Sequence, residues 1–353
     1  MGVSDNSEYF MQVAIDLAKK GGGYVHPNPL VGCVIVLNNT IVSQGYHQYY
    51  GGNHAEVNAI LQLEQQGFHQ WNEVELYVTL EPCAHFGKTP PCTDLILKKG
   101  IKKVIIATTD INPLVAGKGI EKLKKNGVSI TLGVKEKEAI ELNKRFFTYH
   151  RLKRPYIILK WAETKDGFIS KYSFSQKNEN IISGKETLKL VHQWRSEEHS
   201  ILIGYNTLVK DNPYLNVRYV EGKNPIKIVV CREIPEDIFS YNMFKGTERV
   251  ILFNTIKEEE SQNILFKKIN WENKEQEIIQ HLYELNIVSV LIEGGTKTLQ
   301  AFINQFLFDE IRVLKSKKVV FNEGIKAPIS PQSLILSHTF ENDTDSISIW
   351  KRD

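Results

Sequence analysis

A chain of 353 residues with 42% hydrophobic and 24% charged residues has enough apolar material for two water-soluble domains. The formal net charge of +3 gives no electrostatic case for a nucleic-acid or membrane-surface partner. No apolar run approaches the roughly 18 residues that cross a bilayer. Met1 to Ser7 read as polar, without a signal-peptide core, and Asn6 breaks the myristoylation pattern. Four cysteines do not make a disulfide framework, so the expected home is a reducing cytoplasm.

Apolar positions repeat at helical spacing over residues 8–20, and Gly21-Gly22-Gly23 ends that helix. Val31 to Leu37 reads as a buried strand, with Ile41 to Tyr46 as its hairpin partner across an Asn38-Asn39 turn. A helix from Ala55 to Gln65 begins at His54. A strand from Val74 to Leu80 ends at Glu81-Pro82-Cys83. Thr93 to Lys99 is a short helix closed by Gly100, followed by a strand at Val104 to Thr108, a helix at Ile120 to Asn126 and a strand at Val128 to Leu132. The clusters Lys98-Lys99, Lys102-Lys103 and Lys122-Lys124-Lys125 read as solvated helix faces.

The stretch Asn143 to Pro155, with Lys144, Arg145, Arg151, Lys153 and Arg154, is expected to carry the domain break, near residue 150. Beyond it, strands are expected at Tyr156 to Trp161, Ser200 to Gly204, Ile226 to Cys231, Arg249 to Phe253, Val288 to Ile292, Ile311 to Ser316 and Ser346 to Trp350. Helices are expected at Gly184 to Arg195, Lys274 to Leu285 and Thr298 to Phe306. Alternating strands and helices place both halves in the α/β class with partly parallel sheets. Cys33 and Cys231 fall on apolar runs and read as small buried hydrophobes.

The chemistry is concentrated in His54-Ala55-Glu56, Pro82-Cys83 and Pro91-Cys92. One imidazole and two thiolates are three zinc ligands, and a three-ligand zinc keeps its fourth position for water. Glu56 stands too close to His54 to chelate comfortably beside it, and is suited to moving protons. The His-x-Glu…Pro-Cys…Cys order matches the zinc-dependent deaminases, in which metal-activated water attacks an amino-bearing ring carbon. The blander reading is a structural zinc with His85 as fourth ligand. Upstream, His26-Pro27-Asn28-Pro29 is expected to hold Asn28 in extended backbone, where its amide suits a pyrimidine edge. In the second half, Glu293-Gly294-Gly295-Thr296 lies between a strand and a helix, a place where phosphate meets a helix N-terminus. Arg232, just past a strand, reads from its position alone as a solvated arginine.

These motifs resemble the bifunctional deaminase/reductase family of riboflavin biosynthesis. The resemblance is carried by His26-Pro-Asn-Pro-Leu-Val-Gly-Cys33, Gly45-Tyr-His47, His54-Ala-Glu-Val57, Leu80-Glu-Pro-Cys83, Thr89-Pro-Pro-Cys92, Asp110-Ile-Asn-Pro113 and Val115-Ala-Gly-Lys-Gly119. It implies a cytidine-deaminase-like three-layer α/β/α domain over 1–150, then a dihydrofolate-reductase-like α/β domain over 151–353. It implies hydrolysis of the 2-amino group of 2,5-diamino-6-(5-phosphoribosylamino)pyrimidin-4(3H)-one, followed by NADPH-dependent reduction of ribosyl to ribityl. Carried over residue by residue, His54, Cys83 and Cys92 would hold Zn2+ and Glu56 would shuttle protons. Asn28, His47, Glu179, Arg195, Leu215, Arg218 and Glu293 would face substrate. Ala162, Ile181, Thr207, Asp211, Arg232, Gly295, Thr296, Lys297 and Thr298 would face NADPH. Lys160, Asp211 and Glu293 would polarise groups and relay protons in the reduction. The chain departs from the family at Ile181, where many relatives carry tryptophan, and at Thr164-Lys165-Asp166-Gly167, where they carry Ser-Leu-Asp-Gly. The expected partner is a small-molecule substrate, with no nucleic acid or membrane, in a homo-oligomer. Two other readings are a deaminase joined to a non-catalytic nucleotide-binding module, and a zinc-stabilised binding protein.

Overall fold

The computed structural model describes residues 5–86, 90–112, 116–173 and 177–352. Thr89, Pro113 and Val115, part of the family motifs above, lie outside the described residues. The chain divides into two compact units, Met1–Lys153 and Arg154–Asp353.

The first unit runs α1 (Asp5–Lys19), β1 (Gly32–Leu37), β2 (Thr40–Tyr46), α2 (Ala55–Glu64), β3 (Glu75–Leu80), α3 (Cys92–Lys99), β4 (Lys103–Thr108), α4 (Lys118–Lys125), β5 (Ser129–Leu132), α5 (Glu136–Leu142) and α6 (Lys144–Leu152). Its sheet has the order β2-β1-β3-β4-β5, with β3, β4 and β5 parallel and β1 antiparallel to both neighbours. The two-residue period of a strand sends Cys33, Ile35, Leu76, Val78, Val104 and Ile106 to the face covered by α2, α3 and α4. Val34, Val36, Tyr77 and Ile105 go to the face covered by α1 and α5. Three layers result, each helix burying one apolar stripe. Asn38 and Asn39 both take positive φ, as the tight β1–β2 hairpin requires.

The sequence pattern assigns no element to residues 144–152. The basic run is helix α6, because Phe146 and Phe147 pack with Leu80 while the charges stay outside that cluster. The helix ends at Lys153, whose φ of 54° is left-handed.

The second unit runs β6 (Tyr156–Glu163), β7 (Phe168–Ser170), α7 (Lys185–Glu197), β8 (Ser200–Gly204), α8 (Tyr205–Asp211), β9 (Ile226–Val230), β10 (Val250–Asn254), β11 (Glu259–Ser261), β12 (Ile264–Lys268), α9 (Lys274–Glu284), β13 (Ser289–Ile292), α10 (Thr296–Asn304), β14 (Glu310–Ser316), β15 (Ile325–Lys326), β16 (Ile335–Glu341) and β17 (Asp345–Lys351). Its ten-stranded sheet has the order β11-β12-β10-β9-β8-β13-β6-β14-β17-β16. Strands β12 to β14 in that order are parallel, and the outer strands are antiparallel. Helices α9 and α10 cover one face through Ile278, Leu282, Leu299 and Phe302, and α8 packs on the other through Leu208. The chain steps outward from β8 to β10, then returns to insert β13 between β8 and β6. Such a reversal opens a crevice at the carboxyl ends of the strands.

Candidate active sites

In the first unit, two helix starts and one strand end converge. His54 precedes the first residue of α2, Cys92 opens α3, and Cys83 follows β3. His54 Nδ1 lies 3.6 Å from Cys83 Sγ and 3.3 Å from Cys92 Sγ. In a zinc tetrahedron with bonds of about 2.3 Å to sulfur and about 2.0 Å to nitrogen, those atoms stand about 3.5 Å apart. The donor set and spacing therefore fit zinc. The ligand atoms of these three residues all lie within 4.8 Å of one another, and they are the group among the described residues that could hold a metal. His85 is exposed and stands outside that group, against the reading of it as a fourth ligand. The Cys83 thiol is the more acidic of the two: the Cys92 thiol, then His54 and the Cys92 backbone N–H at 3.3 Å, stabilise its thiolate.

Glu56 sits in the first turn of α2, only 3% exposed. Burial pushes its carboxyl above the usual range, against the pull of His54, which suits a group that both takes and gives a proton. His47 orients Asn28. Its Nδ1 lies 2.9 Å from the Asn53 carbonyl, which can only accept, so the proton is on Nδ1. Nε2, 3.1 Å from Asn28 Nδ2, is then the acceptor. This fixes the Asn28 amide and leaves its oxygen to accept from a ligand. Burial lowers the His47 pKa and keeps that tautomer neutral. Asn28 is held in a turn rather than in extended backbone: its N–H reaches the Val25 carbonyl at 2.9 Å.

Glu81, buried beside the metal turn, enters the sequence pattern only as part of the Glu-Pro-Cys motif, without a role. Its carboxylate accepts from the backbone N–H groups of Asp110, Gly117, Gly119 and Ile120 at 2.9 to 3.2 Å. It thereby caps α4 and ties Asp110 and Gly117 to the segment bearing Cys83. The signal available was the glycine pair at 117 and 119.

In the second unit, the crevice is a cavity of about 1020 Å³. At its floor Lys160 from β6, Arg195 from α7 and Glu293 after β13 meet. Arg195 Nε and Nη2 donate to Glu293 at 2.9 and 2.7 Å, and Lys160 Nζ lies 3.3 Å away. Burial alone would raise the Glu293 carboxyl, but Arg195 and Lys160 hold it down to about 2. Burial, with Arg195, lowers the Lys160 ammonium, against the pull of Glu293. The turn after β13 is tight. A Cβ on Gly294 would stand 2.6 Å from Gly204 N, so this glycine serves close approach to β8. Thr207 Oγ1 accepts the Gly295 N–H at 2.9 Å. Thr296, Lys297 and Thr298, the open first turn of α10, line the cavity with Ala162, Ile181 and Arg232.

Other carried-over residues stand elsewhere. Asp211 is exposed at the end of α8, on the rim, while Lys160 and Glu293 lie on the buried floor. Glu179 is exposed, one residue before the lining stretch that begins at Asn180. Leu215 can face the cavity only through its main chain, because its side chain is 3% exposed and packs in the core with Ile203, Leu208 and Met243. Arg218 lines the cavity, its guanidinium 5.8 Å from the Tyr214 ring and 5.7 Å from the Tyr219 ring. His192, one turn before Arg195 on α7, also lines the cavity and was missed. Its signal was the i, i+3 spacing to Arg195.

The fold and the two sites define a zinc-type deaminase of the cytidine-deaminase class joined to a reductase with a doubly wound sheet. Residues 4–108 match the cytidine and deoxycytidylate deaminase zinc-binding region, and residues 155–322 match the RibD C-terminal domain. The riboflavin biosynthesis protein RibD of Aquifex aeolicus is 43% identical over 326 residues, covering 90% of this chain and 88% of its own. That of Actinobacillus pleuropneumoniae is 36% identical, covering 92% and 87%. A solved deaminase/reductase of this kind from Thermotoga maritima is 36% identical, with a TM-score of 0.89 over 99% of both chains. Acinetobacter baumannii RibD superposes with a TM-score of 0.86 at 30% identity, over 99% of both. The chain belongs to the riboflavin biosynthesis protein RibD family, and is a deaminase and reductase of riboflavin biosynthesis. These relatives disfavour a C-terminal half without turnover.

Proposed function

We propose that the chain carries out two consecutive steps, deamination of 2,5-diamino-6-(5-phosphoribosylamino)pyrimidin-4(3H)-one and then reduction of the ribosyl group of the product to ribityl with NADPH. The observation that supports the first step is the His54–Cys83–Cys92 triangle with the buried Glu56 carboxyl nearby. Zinc held by these three side chains supplies a water of lowered pKa. Glu56 takes the proton of the attacking water, passes it to the ring nitrogen and then serves the departing amine. A C–O bond forms at ring carbon 2, the C–N bond breaks, and ammonia leaves. Asn28, fixed by His47, accepts from the polar edge of the ring.

For the second step, NADPH supplies the hydride. The turn Gly295 to Thr298 at the start of α10 suits its pyrophosphate: the Gly295 N–H is held by Thr207 and the Thr298 N–H by the Gly295 carbonyl, which leaves Thr296 and Lys297 to meet it at the positive end of the helix. Thr207 braces that turn, and Ala162 and Ile181 offer apolar wall. Arg232 suits the 2′-phosphate. Lys160, with its lowered pKa, is the proton donor to the opening ribose, and Glu293 holds Lys160 and Arg195 in place. Arg218 suits the substrate phosphate, since a guanidinium fork matches it; Arg195, engaged with Glu293, orients the ribosyl end. Asp211 and Glu179, at the rim, serve positioning.

The protein works on a small molecule as a cytoplasmic homo-oligomer, with no nucleic-acid or membrane partner. No helix among the described residues is long and apolar enough to cross a membrane. Incubating the purified chain with the diaminopyrimidine and NADPH should release one ammonia and oxidise one NADPH per ribityl product. Ammonia release without NADPH oxidation would overturn the second half of this reading.

A further inference from the structure

The segment 212–218 lies between the end of α8 and β9 and carries Arg218 into the cavity. Two of its non-glycine residues, Asn212 and Leu215, hold positive φ of 40° and 54°. Left-handed backbone is ordinary for Asn212, which caps α8, but unfavourable for Leu215, where it persists only because the surroundings impose it. Leu215 is anchored in the core, Val217 N–H donates to Asn224 Oδ1 at 2.7 Å, and Asn242 N–H donates to Asn212 Oδ1 at 2.7 Å. At Arg218 itself the backbone N–H donates to His192 Nδ1 at 3.0 Å. His192 is 2% exposed on α7, three residues before Arg195, and its ring meets the Tyr219 ring edge-on at 4.6 Å.

We infer that His192 is a positioning residue for the reductase reaction, fixing the backbone at Arg218 so that its guanidinium is set for the substrate phosphate. This rests on the proposed role of Arg218. Nδ1 must be unprotonated to accept, which places the ring proton on Nε2. Burial, then the neighbouring Arg195 and Arg218, hold the His192 pKa down to about 4, so it stays an acceptor at neutral pH. The imidazole thus couples α7, which bears Arg195, to the strained arm that bears Arg218.

The test is steady-state kinetics of the full chain with the deaminated intermediate and NADPH, on H192L, H192N, H192Q and R218M. Asn places an acceptor where Nδ1 stands, whereas Gln places one near Nε2. H192L should raise KM for the intermediate about tenfold, the scale of one lost hydrogen bond. KM for NADPH should hold within twofold, and H192N should recover most of the loss. An unchanged KM in H192L would overturn the inference, as would equal loss in H192N and H192Q. Should H192L fail to fold, H192N against H192Q decides alone. R218M should raise KM for the intermediate at least as far. If it does not, the role of Arg218 fails and His192 falls with it, whereas a raised KM in R218M beside an unaffected H192L condemns His192 alone.

Discussion

Single carboxyls govern both sites, each through what surrounds it. Glu56 is buried near the zinc ligands with a raised pKa, while Glu293 is buried between two cations and stays ionised. Glu56→Gln should retain one zinc per chain by metal analysis yet lose at least 10²-fold in ammonia release, the low end of what a positioned acid–base group contributes. Metal loss in that variant would assign Glu56 to holding the ion. Glu293→Gln leaves Lys160 and Arg195 buried without their counter-charge, a change that costs about 3 kcal/mol or more. Its sign with pH follows from the depressed carboxyl. The stabilisation is fully present above the ordinary value of 4.5 and is lost as pH falls toward about 2. Urea melts should therefore separate wild type from Glu293→Gln widely at pH 7 and much less at pH 3; parallel melts at both would mean that the ion cluster adds no stability. The metal residues were legible in sequence because their spacing is itself the signature. Lys160, Arg195 and Glu293 were not, because three separate elements bring them together, and only resemblance to a family joined them.

Elements were legible where patterns were clean. The Asn38-Asn39 hairpin and the apolar runs that became β6, β8, β10 and β13 follow from turn chemistry and burial on both faces. Strand β16 went unseen because all but one of its seven residues are exposed, leaving no alternation to read. The short β7, α8, β11, β12 and β15 were also missed; β11 is exposed throughout, and the others carry too few buried residues to stand out as apolar runs. Helix α6 was hidden by its charges. The Glu81 clamp belongs to this scale, since one carboxylate joins the end of β3 to the start of α4. The two segments approach so closely that a Cβ on Gly119 would stand 2.0 Å from the Pro82 carbonyl oxygen. Gly119→Ala must push α4 off the turn that precedes Cys83. Zinc affinity, measured by competition with a chromophoric chelator, should fall about 10-fold or more, in line with outer-shell changes at other metal sites. Affinity equal to wild type would show that the Cys83 turn does not depend on α4.

At the scale of the whole chain, chemistry is divided as the cores are. Each unit buries its own clusters, Met1–Lys153 around one sheet and Arg154–Asp353 around another. The zinc ligands lie wholly in the first unit and the cavity lining wholly in the second. Metal binding stabilises whatever it binds, and its removal leaves two thiols and an imidazole clustered without a counter-ion. That penalty falls on α2, α3 and the end of β3, none of which contributes a residue to the reductase cavity. Stripping the protein with a strong chelator should therefore abolish ammonia release while NADPH oxidation with the deaminated intermediate persists at more than half its rate. A thermal melt should show the transition of the first unit moving down and that of the second holding. Re-addition of zinc should restore ammonia release in proportion to the ion bound, up to one per chain. Parallel loss of both activities on chelation would mean that the second unit depends on the metal-bearing first, and the separation of the two chemistries along the chain would have to be abandoned.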